Sequence, residues 1–272
     1  MDARLQGRVA LISGAGAGIG RAAAEVLAEH GALSLVVDVD AGRAAETGHN
    51  ITAAGGQALV EVADVRDPAQ VEALAKRVLA EHGRVDVLVN NVGHHLGPRP
   101  FLEGDPARWR ELYAVNLEHV LLCTRAFLPR MLERRAGSII NVSSIEGLRG
   151  YPGDPVYGAF KAAVVHFTRC LAVELGATGV RVNGIAPDVT ESLQVPYARM
   201  VPPEQQHLWS TWVPVGRMGV PRDQADVVLF LASDESRFVT GHTIPTDGGT
   251  GAAGGWFRTR HRAGFTNRPL DP

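Results

Sequence analysis

Seven residues constrain the fold of this chain more than any others: Gly14-Ala15-Gly16-Ala17-Gly18-Ile19-Gly20. They follow a short apolar run, residues 8–13, and lead into an alanine-rich helical segment, residues 21–30, so the local order is strand, turn, helix. Glycines at these positions let the backbone turn tightly and leave the N–H groups of a helix N-terminus open to a pyrophosphate. Glycine spacing alone is a weak signal; its confirming context is a second strand ending in an acid about twenty residues on. Leu33-Ser34-Leu35-Val36-Val37-Asp38 supplies that strand. Asp38 can accept hydrogen bonds from an adenosine ribose diol and would repel a 2′-phosphate, so the expected cofactor is NAD rather than NADP. The competing reading is a carboxylate that caps the turn after it.

The alternation continues. Residues 41–54 read as a helix and 57–63 as a strand running into Asp64-Val65, which would put the Asp64 carboxylate beside an adenine pocket. Residues 68–82 form an amphipathic helix with Pro68 in its first turn and Gly83 past its end. A fourth strand, residues 85–89, runs into Asn90-Asn91-Val92-Gly93. Strands and helices alternating at this length predict an α/β fold with a doubly wound parallel sheet, helices on both faces and ligands at the carboxyl ends of the strands. Gly14, Gly18, Ile19, Gly20, Asp38, Asp64, Val65, Asn90 and Gly93 are the candidate cofactor residues on that crevice.

Nothing resembling a Pro/Gly/Ser linker divides the 272 residues, so a single domain over 1–272 is expected. An apolar fraction of 45% with a formal charge of −2 suits a chain with a large core and does not suggest a nucleic-acid partner. No apolar run approaches 18 residues and the first five residues carry no signal-peptide core, so a cytosolic protein without a membrane partner is expected. Cys123 and Cys170 lie singly in apolar segments and read as small buried thiols. The ten histidines are scattered with no His-Glu-x-x-His among them, so no metal site is expected.

The chemistry concentrates further on. Residues 105–134 read as one long helix with Asn116 near its middle, either turned into the crevice, where it needs a buried partner or water, or on the surface. A fifth strand, residues 138–142, is followed by Ser143-Ser144, with Ser144 thirteen residues before Tyr157. Asp154 suits an N-cap and Pro155 the first turn of the next helix. Tyr157 and Lys161 then stand at i and i+4 on one helical face. A phenol of pKa about 10 is a poor base at neutral pH, and a neighbouring cation favours the phenolate. A tyrosine so tuned can pass a proton to or from an alcohol oxygen. Lysine is scarce in this chain: only Lys76 and Lys161 occur.

In order and spacing, the glycine turn, Asp38, Asn90 to Gly93, Asn116, Ser144 and Tyr157-x-x-x-Lys161 resemble the classical short-chain dehydrogenases/reductases over residues 5 to about 250. The resemblance implies a Rossmann-type sheet of about seven strands. It implies that Ser144 polarises the substrate oxygen, that Tyr157 is the general acid/base, and that Lys161 lowers the tyrosine pKa and binds the nicotinamide ribose. Asn116 would hold a water in a proton relay. It also implies a homodimer or homotetramer built on the Asn116 and Tyr157 helices, with Val164, Phe167 and Leu171 marking the apolar stripe of the latter.

The family usually has Pro-Gly and then a threonine near the nicotinamide carboxamide. Here Pro187 is followed by Asp188, and either Thr190 or Ser192 can serve that contact. Residues 188–219 turn aromatic and proline-rich and read as a substrate lid or a subunit contact, with Trp209 and Trp212 as candidate pocket residues. His94, His95, Glu146, Arg149 and Tyr151 follow strand ends and are further candidates. Residues 221–233 form the last helix, and Pro245 belongs on a sheet edge. Residues 251–272 are a C-terminal extension, either disordered or reaching a neighbouring subunit. The expected function is an NAD(H)-dependent oxidoreductase that interconverts a largely apolar, cyclic secondary alcohol and its ketone. The alternatives are a 3-oxoacyl-thioester (acyl carrier protein) reductase and a non-catalytic dinucleotide-sensing protein.

Overall fold

Runs rich in valine, leucine and isoleucine become the strands β1 (Val9–Ser13), β2 (Leu33–Asp38), β3 (Gln57–Val62), β4 (Val87–Asn90), β5 (Gly137–Val142), β6 (Val180–Pro187) and β7 (Thr243–Thr246). This computed structural model describes residues 4–193 and 195–254, and the backbone of the short antiparallel pair β8 (Phe257–Arg258) and β9 (Phe265–Thr266). The remainder of the expected C-terminal extension lies outside the described residues. The seven strands form one parallel sheet in the order β3-β2-β1-β4-β5-β6-β7. The seven-strand α/β expectation therefore holds. β7 is an edge strand, and Pro245 lies on it, where a missing N–H costs least.

Alternate side chains of each strand enter opposite cores. Ile12, Val36, Val89, Ile140 and Ile185 pack with α1 (Gly18–Glu29), α2 (Ala41–Ala53) and α9 (Pro221–Ala232). Leu11, Leu35, Leu88, Ile139 and Val182 pack with α3 (Pro68–His82), α5 (His119–Arg134) and α6 (Pro155–Glu174). The connections leave β1 between β2 and β4, so the sheet is built outward in both directions from there. A crevice at the carboxyl ends of the strands is the consequence.

Three expectations change. The single helix over 105–134 is interrupted: α4 (Pro106–Tyr113) passes into a π-turn, Ala114–Glu118, before α5. Asn116 sits inside that π-turn and is fully buried, so the surface reading fails. Cys123 is buried, which pushes its thiol up to about 12, whereas Cys170 is exposed, because the two lie on opposite sides of their helices relative to the sheet. By length and mean hydropathy α6 would also pass for a membrane span. Its Lys161 and Thr168 are buried, and of its apolar stripe Val164 and Leu171 are buried and Phe167 partly so, packed with the sheet as a core-facing side.

Residues 188–219 leave the sheet after β6 and return to it. A parallel bridge between Thr190 and Gly219 closes the neck, with Gly219 N donating to Val189 O at 2.9 Å and Glu191 N to Gly219 O at 3.1 Å. Between those ends lie α7 (Tyr197–Met200), a 3-10 turn (Pro203–Leu208) and α8 (Trp209–Trp212).

Candidate active site

The crevice has a volume of about 670 Å³ and runs from Asp38, Arg43 and Arg66 at one end to Tyr151, Tyr157 and Tyr197 at the other. Its first wall is the glycine turn. Gly14 and Gly18 adopt φ of +65° and +56°, which disfavour any residue with a Cβ. A Cβ on Gly18 would meet only Ser192, at 3.9 Å, so this position opens directly onto the crevice. Ile19 also lines it. Gly20 does not: a Cβ there would lie 2.2 Å from Gly14 O, so its role is close packing of α1 on β1 rather than ligand contact.

Asp38 reaches the crevice, and its carboxylate accepts from Gly16 N at 2.8 Å and from Asp40 N at 3.0 Å. It therefore braces both neighbouring turns while still facing the ligand space. Val65 and Asp64 are wall residues as expected. The Asp64 carboxylate, however, is clasped by the Arg66 guanidinium at 2.7 Å, which holds it below the usual carboxylate range. Asn90 is not on the wall at all. It is fully buried and donates to Asn141 Oδ1 at 2.9 Å and Thr124 Oγ1 at 3.2 Å, tying β4 to β5 and α5. Successive strand residues point to opposite sides, so Asn91 faces the turn instead, donating to Ser13 O at 3.0 Å.

The catalytic candidates do come together. Tyr157 opens α6, which Asp154 caps by accepting from Tyr157 N at 3.2 Å. The Tyr157 phenol hydrogen-bonds Ser144, while Ser143 is committed elsewhere, its hydroxyl donating to Lys161 O at 2.8 Å. That difference separates the two serines on geometry as the thirteen-residue spacing did on sequence. Lys161 is buried one turn along, its Nζ donating to Val142 O at 3.2 Å and standing 5.8 Å from the centre of the Tyr157 ring. Gly93 makes room for it: a Cβ there would fall 2.7 Å from Lys161 Nζ. The Asn116 amide accepts from His94 N at 3.1 Å and donates to His94 O at 2.8 Å and Leu112 O at 3.0 Å. Its partners are thus backbone groups that fix the loop after β4 beside Lys161.

The expected acidic shift of the phenol is absent. Burial pushes Tyr157 up to about 12, against a smaller downward pull from the Ser144 hydrogen bond. Burial also pushes Lys161 down to about 8. Desolvation is the dominant influence on both groups, leaving a neutral phenol near a costly buried cation. Lys161 is charged in both folded and unfolded chains below pH 8, so its cost is complete there and fades as pH rises from 8 towards 10.5. Lys161→Met should therefore raise the melting temperature by a few degrees at pH 7, with the gain shrinking above pH 8, while turnover is lost. Paired melting curves at pH 7 and pH 10 measure this.

At the far end, His94, His95, Glu146, Tyr151, Pro187, Thr190 and Ser192 all line the crevice. Burial lowers both histidines, so they are neutral at pH 7. Trp209 and Trp212 do not line it. Trp209 packs edge-on against Tyr197 at 5.5 Å and Trp212 is 52% exposed, so these rings build the excursion rather than the cavity. Tyr197 and Met200, one turn apart on α7, take the wall instead, together with Leu193 and Val195. Sequence reasoning also missed Arg108. Its guanidinium is buried and donates to Asp154 Oδ2 at 2.5 Å, His95 O at 2.9 Å and Gly97 O at 2.7 Å. An arginine in a short polar helix carries no sign of burial; only the acidic N-cap of α6, a potential partner, hinted at it.

A family model described as enoyl-(acyl carrier protein) reductase matches residues 14–251. The 3-oxoacyl-[acyl-carrier-protein] reductase of Thermotoga maritima is 37% identical over 90% of this chain and 98% of its own length. Cis-4-hydroxycyclohexanecarboxylate dehydrogenase of Sinomonas cyclohexanicum is 39% identical over 89% of this chain and 96% of its own. Among solved structures, 7α-hydroxysteroid dehydrogenase with NADH and 7-oxo glycochenodeoxycholic acid is similar at a TM-score of 0.84, with 33% identity over 91% of this chain and 96% of that one. With its parallel seven-stranded sheet and its Ser144, Tyr157 and Lys161 gathered at the strand ends, the chain belongs to the short-chain dehydrogenase/reductase family of oxidoreductases.

Proposed function

We propose that this chain is an NAD(H)-dependent oxidoreductase acting on a largely apolar, cyclic secondary alcohol and its ketone. The observation that carries the reading is the placement of Ser144, Tyr157 and Lys161 on the floor of a crevice whose opposite end presents Asp38. The residues fit a dinucleotide: an open glycine cradle at Gly18, a carboxylate where a ribose diol would lie and a buried ammonium near the tyrosine. Bound nicotinamide supplies the hydride acceptor or donor. The chain's own part is positioning and proton transfer. Ser144 holds the substrate oxygen, and Tyr157 takes the hydroxyl proton in oxidation or returns it in reduction. Lys161 orders the ribose and offsets negative charge on the phenol.

Between the two carboxamide candidates, bonding favours Ser192. Thr190 Oγ1 already donates to Asp188 O at 2.8 Å and accepts from Gln224 Nε2 at 2.9 Å. Ser192 Oγ accepts from Val195 N at 3.0 Å and keeps its proton for a ligand. Residues 188–219 act as the lid, contributing Leu193, Val195 and Met200 as its apolar lining. The same reading includes a homodimer or homotetramer built on α5 and α6, which would cover Val173, 83% exposed on α6.

Asp38→Ala should narrow the preference for NAD over NADP by at least tenfold in kcat/KM, through loss of the diol contact and of repulsion toward a 2′-phosphate. An unchanged preference rules out the ribose assignment. A second reading, reduction of 3-oxoacyl thioesters, is favoured by the similarity to the Thermotoga maritima reductase. One screen of cyclic alcohols with NAD and of 3-oxoacyl thioesters with NADH, followed by NADH absorbance, decides between them.

A further inference from the structure

The substrate end of the crevice has an unusual charge pattern, and it centres on Asp188. Its carboxylate is rigidly aimed: Oδ1 accepts from Val189 N at 2.9 Å, and Oδ2 accepts from Thr250 Oγ1 at 2.6 Å. The next residue, Val189, is held at φ +38°, a conformation that β-branched residues avoid and that persists only when the surroundings enforce it. Glu146 is a second carboxylate on the crevice wall. One guanidinium serves both, Arg149 standing 2.8 Å from Glu146 and 3.1 Å from Asp188. Two negative charges against one positive leave this cluster net negative. Arg149 itself is not a wall residue, and its charge is shared between the two carboxylates. Lys161 is directed at Val142 O beneath Tyr157. Tyr197 lies within the electrostatic reach of both carboxylates and Tyr151 within that of Glu146, and both offer neutral hydroxyls.

We infer that this site selects substrates uncharged beyond the reacting carbon and discriminates against alcohols or ketones carrying a carboxylate or phosphate. The inference rests on the alcohol–ketone reading above and narrows it. An anionic substituent entering past Tyr157 meets Glu146 and Asp188 in a partly water-excluded space, where like-charge repulsion is felt more strongly than at an open surface. Asp188 cannot swing aside without releasing Val189 and Thr250. A neutral ring bearing a carbonyl, ester or hydroxyl group meets Tyr151, Tyr197 and the aliphatic lid residues without that penalty.

The test uses one ring in two charge states: 4-hydroxycyclohexanecarboxylate and its methyl ester as substrates with NAD. The same pair is then titrated into the enzyme–NADH complex, which cannot react with an alcohol, and followed by NADH fluorescence. The ester should exceed the carboxylate at least tenfold in kcat/KM and in affinity. Glu146→Gln and Asp188→Asn, checked for folding by their melting curves, should each reduce that ratio several-fold by improving the carboxylate. A carboxylate that binds as well as the ester, or a ratio that neither variant moves, overturns the inference and leaves the alcohol–ketone reading standing. If neither ring compound binds or reacts, the cyclic-alcohol reading falls, and this inference with it.

Discussion

Replacing Tyr157 by phenylalanine is expected to lower kcat by about 10²–10⁴-fold, the usual contribution of a positioned acid/base, with NADH affinity and melting temperature nearly unchanged. The substitution deletes one oxygen from a ring that already packs against Tyr151 at 6.2 Å and His95 at 6.4 Å, so the aromatic contacts survive. Only the Ser144 hydrogen bond and the transferable proton are lost. Because burial holds the phenol up near 12 in the free protein, the residue begins as a proton donor. Ketone reduction should therefore show the loss as clearly as alcohol oxidation does. Steady-state rates in both directions, with NADH fluorescence titrations, read the two effects separately. Turnover retained within tenfold would remove Tyr157 from the role proposed for it, and loss of NADH binding would make its role structural.

The same residues show how far sequence patterns reach. Short apolar runs and the Pro68, Pro155 and Gly83 boundary signals located the strands and helices because those signals are local. The gathering of the catalytic candidates was legible for a related reason: Ser144 follows a strand end, and Tyr157 and Lys161 are one turn apart on a capped helix. Errors arose where partners distant in the chain decide the outcome. Asn90 and Asn91 are adjacent and alike in sequence, yet the pleat sends the first into the core and the second to the glycine turn. Trp209 and Trp212 have the apolar surface of pocket residues, but their short helix directs one against Tyr197 and leaves the other half in solvent. The π-turn at Asn116 adds a residue to a helical turn with no compositional mark. The Tyr157 shift is set first by burial, which depends on neighbours distant in the chain that spacing cannot reveal.

Arg108→Met should be the most destabilising single change near the site. Its guanidinium and the Asp154 carboxylate have side chains 8% and 1% exposed and lie 2.5 Å apart, so the pair is sealed from water. Removing one member of such a pair costs about 3–5 kcal/mol, because the remaining charge is left buried. For a chain of this size that corresponds to a melting temperature lower by about 10 °C. The loss should reach catalysis as well. Arg108 also ties down the carbonyls of His95 and Gly97, and Asp154 caps the helix that opens with Tyr157. One arginine therefore holds the loop after β4 against the start of α6, and kcat should fall several-fold more than KM rises. Asp154→Ser retains a capping oxygen while deleting the charge, so it separates the cap from the ion pair. Combined with Arg108→Met, it removes both charges, and the double variant should be less destabilised than the sum of the singles by at least 1 kcal/mol. Strict additivity in that cycle, or an Arg108→Met melting temperature within a degree of the parent, would show that the contact adds nothing to stability and that the loop and helix are held by their own packing.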